Sequence, residues 1–171
     1  ELLEEFWRLM KEEEKKEILD LGCGDGWISL KAAAEGFKVT GIDASETAIT
    51  EAKREARKLG LEKRARFEVG DALNLPFRAN TFEGIIDRGL FHHILPENRK
   101  RYLENIDRVL KAKGLVNLSV FSKLNPLGIG QRFKRKETER LFENYEVVKF
   151  KEDQFPVLAP AHLMHFILRK K

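Results

Sequence analysis

"EILDLGCGDGWISL", residues 17–30, is the stretch that decides the fold. Ile18 to Leu21 is an apolar run that predicts a strand over Glu17–Leu21, and the residues from Trp27 to Glu35 predict the helix that follows. Between them Gly22, Gly24 and Gly26 alternate with Cys23 and Asp25. A strand that enters a helix through glycines turns backbone N–H groups toward a ligand and omits the Cβ atoms that would hold it off. The spacing is G-x-G-x-G, not the G-x-G-x-x-G of dinucleotide-binding turns, which argues against NAD.

Outward from this turn the pattern repeats. Leu2, Phe6, Leu9 and Met10 recur at helical spacing and predict an amphipathic helix over residues 2–14. A second strand is expected over Lys38–Ile42, then a helix from an N-cap at Ser45 to about Leu59, with Gly36 and Gly60 as helix stops. Strands follow over Arg64–Val69 and Thr81–Asp87, a helix over Pro96–Lys111 and a strand over Leu115–Phe121. The remainder reads as a Gly- and Pro-bearing loop, a short helix near Glu137–Phe142, and strands near Tyr145–Glu152 and His162–Arg169. Strand–helix alternation predicts an α/β, Rossmann-like, doubly wound sheet with helices on both faces and right-handed crossovers. The last two strands lack a long helix between them and are expected to pair as an antiparallel hairpin. One domain is expected over 1–171: an N-terminal helix (1–16), a core (17–121), and C-terminal strands with an adjoining loop (122–171).

Composition narrows the class. The chain has 171 residues, 42% hydrophobic and 35% charged, as a globular protein with a sizeable core requires. No apolar run reaches the about 18 residues of a membrane span. The acidic, amphipathic N-terminus does not resemble a secretory signal. The chain starts at Glu1, not Met, as a sequence lacking its natural start would. Cys23 is the only cysteine, which excludes an internal disulfide and fits a reducing, cytoplasmic setting. In the glycine turn it reads as a small buried residue rather than a reactive thiol. The net charge of +4 is mild, and the basic run "RFKRK" (132–136) reads as a solvated face before it reads as a nucleic-acid patch.

Two further carboxylates stand at strand ends. Asp43 closes the second strand in "VTGIDAS", where an acidic residue in nucleotide-binding α/β folds meets ribose hydroxyls; an acid interacting with the macrodipole of the following helix is the alternative. Asp71, in "EVGDALNLPF", is placed to accept from an adenine amine, with Ala72 as a backbone donor and Leu73 and Leu75 as apolar contacts. Together "ILDLGCGDG", "GIDAS", "GDALNLPF", "FEGIIDRGLFHH" and "IDRVLKAKG" resemble, in order, the motifs of class I S-adenosylmethionine-dependent methyltransferases. The resemblance covers about residues 17–121, and is softer toward the small-molecule enzymes of the thiopurine- and tellurite-resistance-like and methyltransferase-domain 11/25-like groups. It implies a seven-stranded sheet in the order 3-2-1-4-5-7-6, mostly parallel with strand 7 antiparallel, and S-adenosylmethionine as methyl donor. It also implies that Asp20, Gly22, Cys23, Gly24 and Gly26 surround the methionine part, Asp43 and Ala44 the ribose, Asp71 and Ala72 the adenine, and that Asp87 and Arg88 border the transferred methyl.

For the acceptor, "DRGL" after the fourth strand replaces the Asn/Asp-Pro-Pro-aromatic motif of DNA amine methylation. Cys23 is misplaced for cytosine C5 chemistry, and the glutamate pair used on protein arginine is missing. A small-molecule acceptor is therefore expected, with a non-catalytic cofactor-binding domain or an RNA methyltransferase as alternatives. His92 and His93 are the candidate catalytic residues, able to orient the acceptor or take its proton; packing beneath the cofactor and capping the next helix is their other reading. Two adjacent histidines without further ligands predict no metal. Trp7, Phe6 and the loop "SKLNPLGIGQRF", with Gly128 and Gly130 as pivots of a lid, are candidates to cover the acceptor, although core packing accounts for the aromatics and a plain surface loop for the glycines.

Overall fold

The protein is described by a computed structural model over residues 2–125, 130–155 and 161–171. Its elements run α1 (Leu2–Glu12), β1 (Glu17–Leu21), α2 (Trp27–Ala34), β2 (Lys38–Asp43), α3 (Glu46–Lys58), β3 (Ala65–Val69) and β4 (Phe82–Arg88). Then follow α4 (Arg99–Val109), β5 (Leu110–Phe121), α5 (Arg135–Leu141), β6 (Tyr145–Phe155) and β7 (Ala161–Lys170). They build one seven-stranded sheet in the order β3-β2-β1-β4-β5-β7-β6. β1 to β5 pair in parallel, and β7 lies antiparallel to both β5 and β6.

Helices cover both faces, so strand residues are apolar on both sides. Successive residues point to opposite faces, and the core divides accordingly. Ile18, Ile86 and Ile167 pack with Phe6 and Met10 of α1, Leu30 of α2 and Ile49 of α3. Leu19, Ile85, Leu118 and Phe166 pack with Tyr102 and Ile106 of α4 and with Phe142. Trp7 and Phe6 are thus core residues of the α1 face. Glu13, just beyond α1, accepts two hydrogen bonds from Arg169 of β7 at 2.6 and 2.8 Å, which ties that end of the helix to the sheet.

The expected elements are present, and the largest shift of a boundary falls between α4 and β5, which starts at Leu110 and not Leu115. The helix expected over Pro96–Lys111 ends at Val109, and Leu110 already pairs with Phe82 of β4. Leu110 continues the apolar stripe of α4, so periodicity alone extends the helix; the ladder with β4 ends it. Ser45 caps α3 as expected, its side chain accepting from the Ala48 N–H at 3.2 Å. Positions 126–129 of the anticipated lid, Gly128 among them, lie outside the described residues.

Candidate active site

The loop after β1 is tied to β2 before any ligand is considered. The N–H groups of Gly22 and Cys23 both donate to the carbonyl of Ile42, at 2.8 and 3.1 Å. The Gly24 N–H donates to Asp43 Oδ2 at 2.9 Å, and the Ser45 N–H to Asp43 Oδ1 at 2.8 Å. Each carboxylate oxygen has two lone pairs, so Asp43 retains capacity for ribose hydroxyls while it holds the turn shut.

The glycines of this turn differ in purpose. Gly24 has φ +55° and no heavy atom within 4 Å of the place a Cβ would take. Its backbone faces open space, the condition for close approach of a ligand. At Gly26, with φ +81°, a Cβ would stand 2.7 Å from the Phe67 ring and 2.9 Å from Ala52. Gly26 lets α2 press onto β3 and α3, and packing alone requires it. Cys23 is buried, and its thiol pKa is pushed upward by that burial, so it is an unreactive filler.

Two carboxylates near the C-terminal ends of the interior strands β1 and β4 are fully enclosed. Asp20, 3% exposed, accepts one hydrogen bond from Ser29 Oγ at 2.6 Å. Burial pushes its pKa up to about 7, the Ser29 bond opposes this, and the nearby Asp87 adds to it. Asp87 is also raised by burial, but its oxygens are occupied: Oδ1 accepts from the N–H groups of Gly89, Leu90 and Phe91 at 3.2, 2.8 and 3.2 Å, and Oδ2 from Tyr102 Oη at 2.5 Å. Its side chain anchors the turn after β4 and faces α4, an arrangement unlike the cofactor contact the motif resemblance implies. Asp71 is exposed and bonds within its own turn, to the Leu73 N–H at 2.8 Å and Asn74 Nδ2 at 2.9 Å, with Ala72 half-buried beside it. Leu75 is core and Leu73 packs against it.

Above the C-terminal ends of β1, β2, β4 and β5 lies a cleft of about 490 Å³. Gly22 and Asp43 line one side; Arg88, His92, Ser119, Phe121 and His165 are among the residues of the other. His92 is buried and stacked on Phe121, ring centroids 4.0 Å apart at 29°, with His93 at 4.5 Å. Burial holds the His92 pKa down, to about 4, so the ring is neutral at physiological pH. His93 is exposed at the rim, and neither histidine caps α4. Ser119 Oγ and His165 Nδ1 are 2.8 Å apart, joined across the β5–β7 ladder. Sequence reading missed this pair and Phe121. The available signal was the polar alternation Asn117, Ser119 in the otherwise apolar stretch Leu115–Phe121.

Within the basic run 132–136, Phe133 is fully buried against Phe91 while Lys134, Arg135 and Lys136 are exposed. Among the described residues no helix is long and apolar enough to cross a membrane, and no group of three or more His, Cys, Asp or Glu is placed to hold a metal.

A family model described as "Methyltransferase domain" matches residues 18–114, more than half of the chain. The chain belongs to the class I S-adenosylmethionine-dependent methyltransferase family. This methyltransferase-family chain is 38% identical over 104 residues to human EEF1A lysine methyltransferase 2, a match covering 57% of the chain and 44% of that protein. It is 36% identical over 107 residues to 2-heptyl-1-hydroxyquinolin-4(1H)-one methyltransferase of Mycobacteroides abscessus, covering 63% of the chain and 47% of that protein. The chain thus spans less than half the length of both curated relatives. Among solved structures, an S-adenosylmethionine-dependent methyltransferase of Methanosarcina mazei superposes with a TM-score of 0.81 at 27% identity, over 92% of this chain and 93% of that one.

The residues present fit the methyl donor on two independent counts. Gly24 leaves a cradle that a side chain would fill, and Asp20 is an enclosed carboxylate with one hydrogen bond, short of what an ionised group needs.

Proposed function

We propose that the protein transfers the methyl group of S-adenosylmethionine to a small-molecule acceptor bound in the cleft. One observation carries the reading: the glycine turn with Asp43, and a wall of imidazole and aromatic rings, face each other across the same 490 Å³ space. When bound, the sulfonium supplies an activated carbon, and the protein's task is alignment and exclusion of water. In this reading Asp20, with the backbone of Gly22, Cys23, Gly24 and Gly26, holds the methionine end. Asp43 and Ala44 hold the ribose, Asp71 and Ala72 the adenine, and Arg88 borders the reacting centre. Asp87 acts through the turn it anchors. His92 and His93 form the acceptor wall and orient what binds there. The Mycobacteroides relative, named for a small aromatic acceptor, supports this class.

The human relative, named for a lysine acceptor, favours a protein substrate as the second reading. Against it stands the acceptor half of the cleft, which among the described residues is lined by no carboxylate to seat a lysine side chain.

Calorimetry with S-adenosylhomocysteine tests the proposal. Wild type is expected to bind, and Asp43→Asn to bind at least about tenfold more weakly, because a charge-assisted acceptor becomes a neutral one. Neither heat nor thermal shift with the donor or its demethylated product would refute it.

A further inference from the structure

We propose a second ligand site, remote from the cleft: a pocket at the N-terminal ends of β1, β2 and β3 that takes the phosphate groups of a phosphate-bearing anion. It goes beyond the methyltransferase reading and does not depend on it.

The connection between β3 and β4, residues 70–81, contains no helix. In a doubly wound sheet a helix in that place covers one face of the strands it joins. Val39, Ala65 and Phe67 belong to the core shared with Leu30 of α2 and Ile49 of α3. Lys38, Thr40 and Arg66 lie one step along the same strands and therefore point to the opposite face. There Thr40 pairs with Arg66 in the ladder, Lys38 and Arg66 are exposed, and Thr40 is half-buried. A covered face would carry apolar residues at these positions.

Together with Glu17 and with Lys63 and Arg64 of the turn before β3, these side chains line a pocket of about 240 Å³. Four cations converge on it against one carboxylate, and that carboxylate accepts from Lys38 at 3.1 Å. Arg64 Nη1 donates to the neutral carbonyl of Gly36 at 2.9 Å, which fixes the guanidinium and leaves its charge uncancelled. Among the described residues no hydrogen bond or ion pair engages the side chains of Lys63 and Arg66. The sequence concentrates its charge here: residues 57–66 carry five Lys and Arg against one Glu, an excess equal to the +4 of the whole chain. Like charges gathered at close range repel, and a bound anion replaces that repulsion with attraction.

A phosphate group matches this donor set. It carries nearly two negative charges and three strong acceptor oxygens. The guanidinium forks of Arg64 and Arg66 suit pairs of those oxygens, Lys38 and Lys63 act as point charges, and the Thr40 hydroxyl is a further donor. A carboxylate, with two oxygens in one plane, would be satisfied by a single guanidinium. The pocket is smaller than the about 300–1,000 Å³ that drug-sized ligands fill, so it seats the phosphate end of a ligand. The length of β2, about 16 Å, separates Lys38 in this pocket from Asp43 in the cleft, and the anion thus sits apart from the reacting centre. A free phosphate compound and an RNA strand offer the same group.

The test is calorimetry of the full chain with inorganic pyrophosphate at about 50 mM salt, where screening is modest. Binding at one site is expected, weakened at least about tenfold in Lys63→Glu/Arg66→Glu by loss of two charge-assisted contacts. Lys100→Glu/Lys136→Glu makes the same charge change at exposed positions elsewhere and is expected to bind as wild type does. Circular dichroism checks that both pairs fold, and Lys63→Gln/Arg66→Gln, which reverses no charge, is expected to lose affinity in the same direction. Affinity for S-adenosylhomocysteine is expected to be unchanged in the pocket variants. A labelled RNA of about 12 nucleotides, followed by fluorescence anisotropy, distinguishes the two sources. RNA bound more tightly than pyrophosphate, with affinity that falls steeply with salt and is lost in the pocket variants, assigns the phosphate to a nucleic-acid strand. RNA bound no more tightly assigns it to a free phosphate compound. Binding of neither probe, wild-type affinity in the pocket variants, or equal loss in the two charge-reversed pairs would overturn the proposal.

Discussion

Asp20→Asn is expected to stabilise the unliganded protein and weaken its hold on the methyl donor. The carboxylate is buried with one hydrogen bond, and its pKa is raised from an ordinary 3.8 to about 7. Since the folded-state value lies above the unfolded one, the native protein keeps a proton that the unfolded chain has lost between about pH 4 and pH 7. Stability from this group therefore falls as pH rises through that window, and the full penalty is present above it. At 1.36 kcal/mol per tenfold, the penalty amounts to at most about 4 kcal/mol. The amide removes the charge yet still accepts from Ser29. Unfolding followed by circular dichroism should show the variant more stable than wild type by roughly 2–4 kcal/mol at about pH 8, and by little at about pH 3. At roughly 2–4 °C per kcal/mol for a chain of this size, the difference in Tm is about 5–15 °C. The cationic donor would add to the attraction that the ionised carboxylate has from Arg88 alone, so wild-type affinity for S-adenosylmethionine should rise between about pH 6 and pH 8. The variant should bind at least about tenfold more weakly, without that rise. A Tm difference that stays flat with pH, or undiminished donor affinity in the variant, would refute the assignment of Asp20 as the donor's counter-charge.

Three other outcomes are expected. Gly24→Ala should cost only the ~1–2 kcal/mol of a left-handed alanine yet lose affinity for S-adenosylhomocysteine, whereas Gly26→Ala should unfold at markedly lower denaturant because its Cβ meets Phe67 at 2.7 Å; equal stability of the two by urea titration would contradict the division. Tyr102→Phe removes the buried donor to Asp87 Oδ2 and should cost about 1–3 kcal/mol in urea unfolding, with Phe91 and the His92 wall loosened together. Glu13, held down to about 2 chiefly by Arg169, contributes stability that is full above its ordinary 4.5 and lost as pH falls through about 2; Glu13→Gln should therefore be about 1 kcal/mol less stable than wild type near neutrality and indistinguishable from it at about pH 2.

Local pattern sufficed where one stretch of chain carries the information. The strand Glu17–Leu21, the αL glycines after it and the Ser45 cap all follow from residues within a few positions of each other. The strand order did not follow from alternation, and came instead from the ordered motifs and their family resemblance. The end of α4 was illegible because Leu110 suits both the helix stripe and the strand, and only pairing with Phe82 decides between them. The acceptor wall was half legible. His92 is adjacent to a recognisable strand end, but its partner Phe121 comes from β5, and His165 reaches Ser119 only through an antiparallel ladder that joins positions 46 apart.

The two buried carboxylates show why a motif residue's chemistry depends on its register. Leu21 of β1 pairs with Asp87 of β4, and Asp20 with Ile86, so the two acids lie one step apart along adjacent strands. In a pleated sheet one step reverses the side chain. Asp20 therefore turns toward α2 and meets Ser29, while Asp87 turns toward α4 and meets Tyr102. The turn after β4 adds three N–H groups to Asp87, which completes its shell and makes it a fixture of the scaffold. Asp20 receives no comparable set, and keeps its unfavourable charge at the edge of the glycine turn. A fold that needed neither ligand nor catalysis would gain stability by replacing it. Its presence there, beside an open Gly24 and an Asp43 with lone pairs to spare, has a physical explanation when a cation binds next to it.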